Sequence, residues 1–170
     1  MIPGKLRTAI AWLAGESDRR GLGLYLVGGC VRDLVLKRPV RDADLLFEKD
    51  PGDLAKRLAL RMSGRLEAFG EFGTFRLLLD GGLRLDLARA RRESYPRPAA
   101  LPRVRPCRVD QDLARRDFSI NAMALPVLPG SFVAGRLKPF PILDPFGGYS
   151  DLKAARLRVL HEASFRDDPT

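Results

Sequence analysis

Leu24-Tyr25-Leu26-Val27 runs directly into Gly28-Gly29, and the chain returns through Asp42-Ala43-Asp44-Leu45-Leu46-Phe47. An apolar strand that ends on two glycines and opens a helix, followed by an apolar strand headed by two carboxylates, leaves few choices of fold. Residues i and i+2 of a strand share one face, about 6.5–7 Å apart. Asp42 and Asp44 therefore stand together where a buried strand emerges. Side-by-side carboxylates repel and raise one another's pKa unless cations neutralise them. A glycine pair lets backbone approach a phosphate closely and delivers it to the positive end of a helix. Phosphate grip beside paired carboxylates is the equipment of nucleotidyl transfer with two metal ions. Each half also has a plainer reading, Gly28-Gly29 as a tight turn and Asp42-Ala43-Asp44 as a solvated strand end.

Hydrophobic periodicity predicts one mixed α/β (α+β) domain, a sheet with some antiparallel pairing flanked by helices. Helices are expected over 5–20 and 30–36, from Asp50-Pro51 through Leu54, Leu58 and Met62 to Gly64, from Asp110 through Met123, and near 150–155. Strands are expected at 24–27, 43–47, 74–79, 83–87 and 157–160, with Asp80-Gly81-Gly82 turning a hairpin. The stretches 93–106 and 126–141, rich in proline, read as irregular loops.

A length of 170 residues holds one domain with a real core and is too short for two ordinary ones. The excess of 30 Lys and Arg over 21 Asp and Glu suits a polyanionic partner, although charge alone gives only non-specific attraction. His161 is the sole histidine, which sets aside His-based metal sites and triads that need several. Cys30 and Cys107 lack metal-ligand spacing, so a reduced, cytoplasmic setting is expected. Charges break the N-terminal apolar run, and no segment has the length to cross a membrane.

Three further groups are candidates. Asp86, flanked by Leu85 and Leu87, should point away from the core as a possible third carboxylate, or else simply face water. Arg32 and Asp33 sit in the first turn after the glycines, where Arg32 can pair with a triphosphate or merely with Asp33. Arg115 and Arg116 can grip triphosphate while Asp117 accepts a bond from a ribose hydroxyl; the plainer reading is charge on a helix surface.

Leu-Val-Gly-Gly-x-Val-Arg-Asp, Asp-x-Asp, Arg-Arg-Asp-Phe-Ser-Ile-Asn-Ala-Met and Asp-Pro-Phe-Gly-Gly-x-x-Asp-Leu occur in that order. With them the chain resembles the catalytic head of bacterial tRNA nucleotidyltransferases (CCA-adding enzymes) and the related poly(A) polymerases, within the polymerase-beta-like superfamily. The resemblance implies Asp42 and Asp44 as magnesium ligands and Asp86 as the third catalytic carboxylate. It implies Gly28, Gly29, Arg32, Asp33, Arg115, Arg116 and Asp117 as nucleotide-binding, and 144–148 as a hinge-like element. Ser119 stands where threonine is usual, and Lys37-Arg38 where the family commonly has a glycine turn. Asp167 and Asp168 match the start of the neck motif that reads the base, with Asp167 in place of a glutamate.

The resemblance thus implies a catalytic head over 1–160 and the start of a truncated neck helix over 161–170. Its expected reaction is addition of CMP or AMP from CTP or ATP to the 3′ end of tRNA, with Mg²⁺. A separate polypeptide or a missing C-terminal region would supply neck and body. A poly(A) polymerase head and a non-catalytic basic RNA-binding remnant are the alternatives. Nucleotide transfer to a small molecule would not account for the Arg-Arg-Asp-Phe and Asp-Pro-Phe-Gly-Gly motifs.

Overall fold

The computed structural model describes residues 1–70, 73–94, 102–133, 136, 137 and 141–160. Its elements run α1 (Gly4–Arg19), β1 (Leu24–Val27), α2 (Gly29–Val35), β2 (Asp42–Phe47), α3 (Gly52–Met62), β3 (Arg65–Phe69), β4 (Thr74–Leu79) and β5 (Leu83–Arg89). There follow β6 (Arg91–Ser94), β7 (Arg103–Pro106), α4 (Val109–Leu113), a 3₁₀ turn (Ser119–Asn121), β8 (Ala124–Pro126), β9 (Phe132–Val133), β10 (Arg136–Leu137) and α5 (Gly148–Lys153).

One sheet carries the molecule, in the order β3-β4-β5-β2-β1-β8. Only β2 and β5 pair parallel; the other neighbours in this sheet are antiparallel. That is the mixed α/β architecture expected. Alternation sorts the strands into two faces. Leu24, Leu26, Ala43, Leu45, Phe47, Leu77, Leu85 and Leu87 point into the main core. There α1 brings Leu6, Ala9, Ile10 and Leu13, and α3 brings Leu54, Ala55 and Leu58, each set at helical spacing. The other face holds Val27, Leu46 and Ala124 in a smaller cluster with Val109 and Leu113 of α4.

Several elements differ from expectation. The helix expected from Asp110 through Met123 ends at Leu113; Arg115, Arg116 and Asp117 lie in the turn that follows, ahead of the 3₁₀ turn. Asp117 helps hold the chain out of helix beyond that end: its Oδ1 accepts the Phe118 amide (2.7 Å) and Asn121 Nδ2 (3.3 Å), a local turn that competes with helix. The stretch 93–106 is no plain loop, because β6 and β7 form an antiparallel ribbon. Within 126–141, β9 and β10 form a short ladder. The strand expected at 157–160 is reduced to one antiparallel bridge between Val159 and Phe118. β3, an edge strand, was not expected at all.

The turn after α2 explains Lys37. This residue takes φ 57°, the left-handed conformation that glycine usually fills, while the Arg38 amide donates to Asp33 O at 2.7 Å to close the helix end. Near the C-terminal side, Asp144 accepts the Gly148 amide (2.7 Å) and the Tyr149 amide (2.9 Å), starting α5. Buried Asp151 on that helix accepts Ser119 Oγ at 2.6 Å and Arg158 Nε at 2.8 Å. The hydroxyl at Ser119 is thus what its site needs, and threonine would carry the same group. The Ser119 hydrogen bond leads in holding the Asp151 carboxyl below its ordinary value, with Arg158 adding to it.

The two segments touch so closely that a Cβ at Gly148 would lie 2.1 Å from the Ser119 carbonyl oxygen. We expect Gly148→Ala to lower the unfolding free energy by about 1–3 kcal/mol, the usual range for overpacking, read as a fall in the urea midpoint. An unchanged midpoint would show that the contact yields freely.

Candidate active site

The parallel register of β2 with β5 sets Asp42 beside Arg84 and Asp44 beside Asp86. The three carboxylates and Arg84 therefore share the face away from α1 and α3. On the next strand, Arg76 stands opposite Asp86 and binds both of its oxygens, at 2.9 and 3.0 Å. Arg84 lies 3.4 Å from Asp42 and 3.6 Å from Asp86. Asp42 is half exposed, with 53% of its side chain open to solvent.

Asp44 differs from its neighbours. Among the described residues its carboxylate takes no hydrogen bond and no ion pair. Burial raises its pKa above the ordinary 3.8; Arg116 and Arg84 counter that, and Asp86 and Asp42 add to it. A half-buried carboxylate with no ion pair of its own, in register with a second carboxylate on the neighbouring strand, fits a divalent ion with oxygen ligands. Asp44, and the half-exposed Asp42 with Arg84 at 3.4 Å, are the carboxylates placed to contribute. Asp86 is engaged by Arg76, and among the described residues no three acidic, His or Cys side chains already converge as a metal cage.

Gly28, at φ 70°, begins α2 on the other flank. A Cβ there would come within 3.0 Å of Arg116 Nη1 and 3.3 Å of Asp44 Oδ2, so glycine is what lets arginine and carboxylate close over this backbone. Gly29 opens α2, with the Arg32 guanidinium packed alongside. Arg32 bonds Asp33 (3.1 Å) and also reaches Asn121 Oδ1 (3.0 Å), which ties α2 to the 3₁₀ turn. Cys30 lies beneath: its thiol donates to Val27 O at 3.0 Å, and burial pushes its pKa up to about 12.

Arg115 and Arg116 are held from below by Asp112, which is fully buried. Arg115 bonds Asp112 Oδ1 through Nε (3.1 Å) and Nη2 (3.0 Å), and Arg116 Nη2 reaches Oδ2 at 3.2 Å. Among the described residues Arg116 Nε is buried without a hydrogen-bond partner, while its side chain is 18% exposed. Asp117 is exposed and spends one oxygen on the turn. Asp167 and Asp168 lie outside the described residues. The site thus gathers Gly28, Gly29, Asp42, Asp44, Asp86 and Arg116, with Arg32, Asp33, Arg115 and Asp117 at its rim.

Comparison with known proteins identifies the family of the fold. The model of the poly A polymerase head domain matches residues 24–158. The chain belongs to that family. The head domain is 47% identical over 149 residues to the A-adding tRNA nucleotidyltransferase of Aquifex aeolicus, covering 87% of this chain and 17% of that protein. It is 37% identical over 160 residues to the CC-adding tRNA nucleotidyltransferase of Deinococcus radiodurans, covering 93% of this chain and 41% of that protein. The solved Thermotoga maritima CCA-adding enzyme complexed with tRNA superposes with a TM-score of 0.74 at 36% identity, over 98% of this chain and 35% of that one. The head domain thus spans well under half the length of these relatives.

Sequence reasoning missed three residues of the head domain's site. Asp112 was readable from its spacing, three and four residues before Arg115 and Arg116, a match that places opposite charges together on a helical turn. Arg76 and Arg84 had no local signal; only strand register brings them to the carboxylates.

Two outcomes follow from the charge balance. Asp112→Ala should lower the unfolding free energy by about 3 kcal/mol, the low end for removing one partner of a buried ion pair because both arginines keep some solvent; chemical denaturation reads it. Asp44 has a folded pKa above its unfolded one, so it costs stability once pH rises past the ordinary carboxylate range, and the cost is absent below it. In metal-free buffer at pH 7, Asp44→Asn should therefore melt at a higher temperature than the parent. That gap should close as pH falls below about 4; a gap that ignores pH would contradict the raised pKa.

Proposed function

We propose that this head domain transfers a nucleotide from ATP or CTP to the 3′ end of tRNA, releasing pyrophosphate. The observation that carries it is the half-buried Asp44, set between Asp42 and Asp86 without a hydrogen bond or ion pair among the described residues, with Arg116 nearby at Gly28. Asp42 and Asp44 would hold magnesium, with Asp86 completing the carboxylate set. Magnesium, when bound there, would activate the attacking hydroxyl and stabilise the leaving pyrophosphate. Arg116, backed by Asp112, grips the triphosphate together with Arg115 and Arg32. The backbone at Gly28 and Gly29 admits a phosphate closely, Asp33 steadies Arg32, and Asp117 keeps one oxygen for a ribose hydroxyl. No side chain is needed as a nucleophile.

Residues 1–160 form the catalytic head in this reading. Residues 161–170 open a base-reading neck, with Asp167 and Asp168 bonding the incoming base and a neck and body completing the site around the tRNA. The names of the A-adding and CC-adding relatives support ATP and CTP as the nucleotides to test first. No helix among the described residues is long and apolar enough to cross a membrane, which is consistent with a cytoplasmic setting.

The test is incorporation of labelled AMP and CMP into tRNA lacking its 3′ CCA, with Mg²⁺. Asp44→Ala should abolish incorporation with the fold retained, and Arg116→Ala should chiefly raise KM for the nucleotide. Incorporation undiminished in Asp44→Ala would refute the metal assignment.

A further inference from the structure

The ribbon of β6 and β7 has two chemically opposed faces. Its inner face is bolted to the arginine turn of the site. The Arg91 amide donates to Asp112 Oδ1 at 3.0 Å, Glu93 accepts Arg115 Nη1 at 2.9 Å and Arg91 Nε at 2.9 Å, and the Cys107 amide donates to Ala90 O at 3.1 Å. The outer face is different. Arg92 stands directly opposite Arg105, and Ser94 opposite Arg103. All four are exposed.

Like charges directly opposite on paired strands destabilise the pair. Among the described residues no carboxylate pairs with them, because Glu93, the one on the ribbon, faces inward to Arg91 and Arg115. Among the described residues, Arg92, Arg103 and Arg105 have no acidic partner. The ribbon therefore keeps three guanidinium groups crowded on one face at a cost in stability, oriented by an inner face that the triphosphate arginines also use.

We propose that this outer face is a binding surface for the phosphate backbone of an RNA strand running up to the carboxylate site. Guanidinium groups bind phosphate oxygens in pairs. Arg103 and Arg105, two residues apart on one strand, are spaced about 6.5–7 Å along it, which suits successive phosphates. The choice of RNA as the polyanion rests on the nucleotidyltransferase reading; the presence of an anion surface does not.

The test is the affinity of the full chain for a fluorescent RNA minihelix with a single-stranded 3′ end, measured without nucleotide across a salt series. Arg92→Glu restores an opposite-charge pair with Arg105, so its melting temperature should hold or rise while RNA affinity falls. Arg92→Ser with Arg105→Ser should weaken binding roughly tenfold and reduce the slope of log affinity against log salt by about 1.5. Lys56→Ser with Arg61→Ser removes the same charge from α3, on the opposite face of the sheet, and should leave both nearly unchanged. Equal losses in the two double variants would overturn the proposal by reducing the ribbon to bulk charge, and so would no loss in either. A chain that binds RNA through the ribbon yet transfers no nucleotide even when joined to the neck and body of a relative would overturn the catalytic reading alone. Intact transfer with RNA affinity indifferent to the ribbon variants would overturn the ribbon alone.

Discussion

Three carboxylates on two adjacent strands repel one another, and most of what surrounds them is arranged around that fact. The parallel pairing of β2 with β5 makes the repulsion unavoidable, since it sets Asp44 beside Asp86 and Asp42 beside Arg84. Arg76 takes Asp86 with both nitrogens, Arg84 lies between Asp42 and Asp86, and Arg116 leans over Asp44 from the far side. Arg116 is then itself a partly buried cation that needs an anion, which Asp112 provides while fully buried. At Asp44 the balance is the least complete: among the described residues its carboxylate has no hydrogen bond or ion pair, and burial raises its pKa against the pull of Arg116 and Arg84.

A second consequence concerns how the parts after β8 are attached. Buried Ser119 and Asp151 and the exposed Arg158 form a chain of hydrogen bonds, and Gly148 lies against the backbone of the 3₁₀ turn. Because Asn121 in that turn also accepts Arg32 of α2, the segment around α5 is tied to the glycine motif through the 3₁₀ turn. Asp-Pro-Phe-Gly-Gly-x-x-Asp thus serves as a seat for the turn behind the arginines.

Much of this was readable from residue order. The glycine pair, the Asp-x-Asp strand, the hairpin at Gly81-Gly82 and the burial of Leu85 and Leu87 all follow from local period and turn chemistry. The length of the helix after Asp110 was not, because apolar Phe118, Ile120 and Met123 keep a helical rhythm while the Asp117 side chain diverts the backbone. β6 and β7 were hidden by prolines and arginines that weaken strand propensity; pairing across the ribbon and anchoring to α4 override it. Arg76 and Arg84 join the site only through register, which no single segment encodes. The glycine expected after α2 is a lysine, and the chain accepts the left-handed conformation there with a side chain in place.

Cys30 sits between the glycine pair and the carboxylate strand, with its thiol directed into the backbone of both. A thiol titrating near 12 and shut away from solvent presents almost no thiolate, so the native protein resists alkylation and oxidation there. Cys107 on the ribbon side is less sheltered, part-exposed, although burial raises its pKa as well. The two cysteines therefore divide the molecule chemically: a thiol reagent that reaches Cys30 can do so only after β1, α2 and β2 have come apart, which makes this one sulfur a built-in clock for the opening of the site.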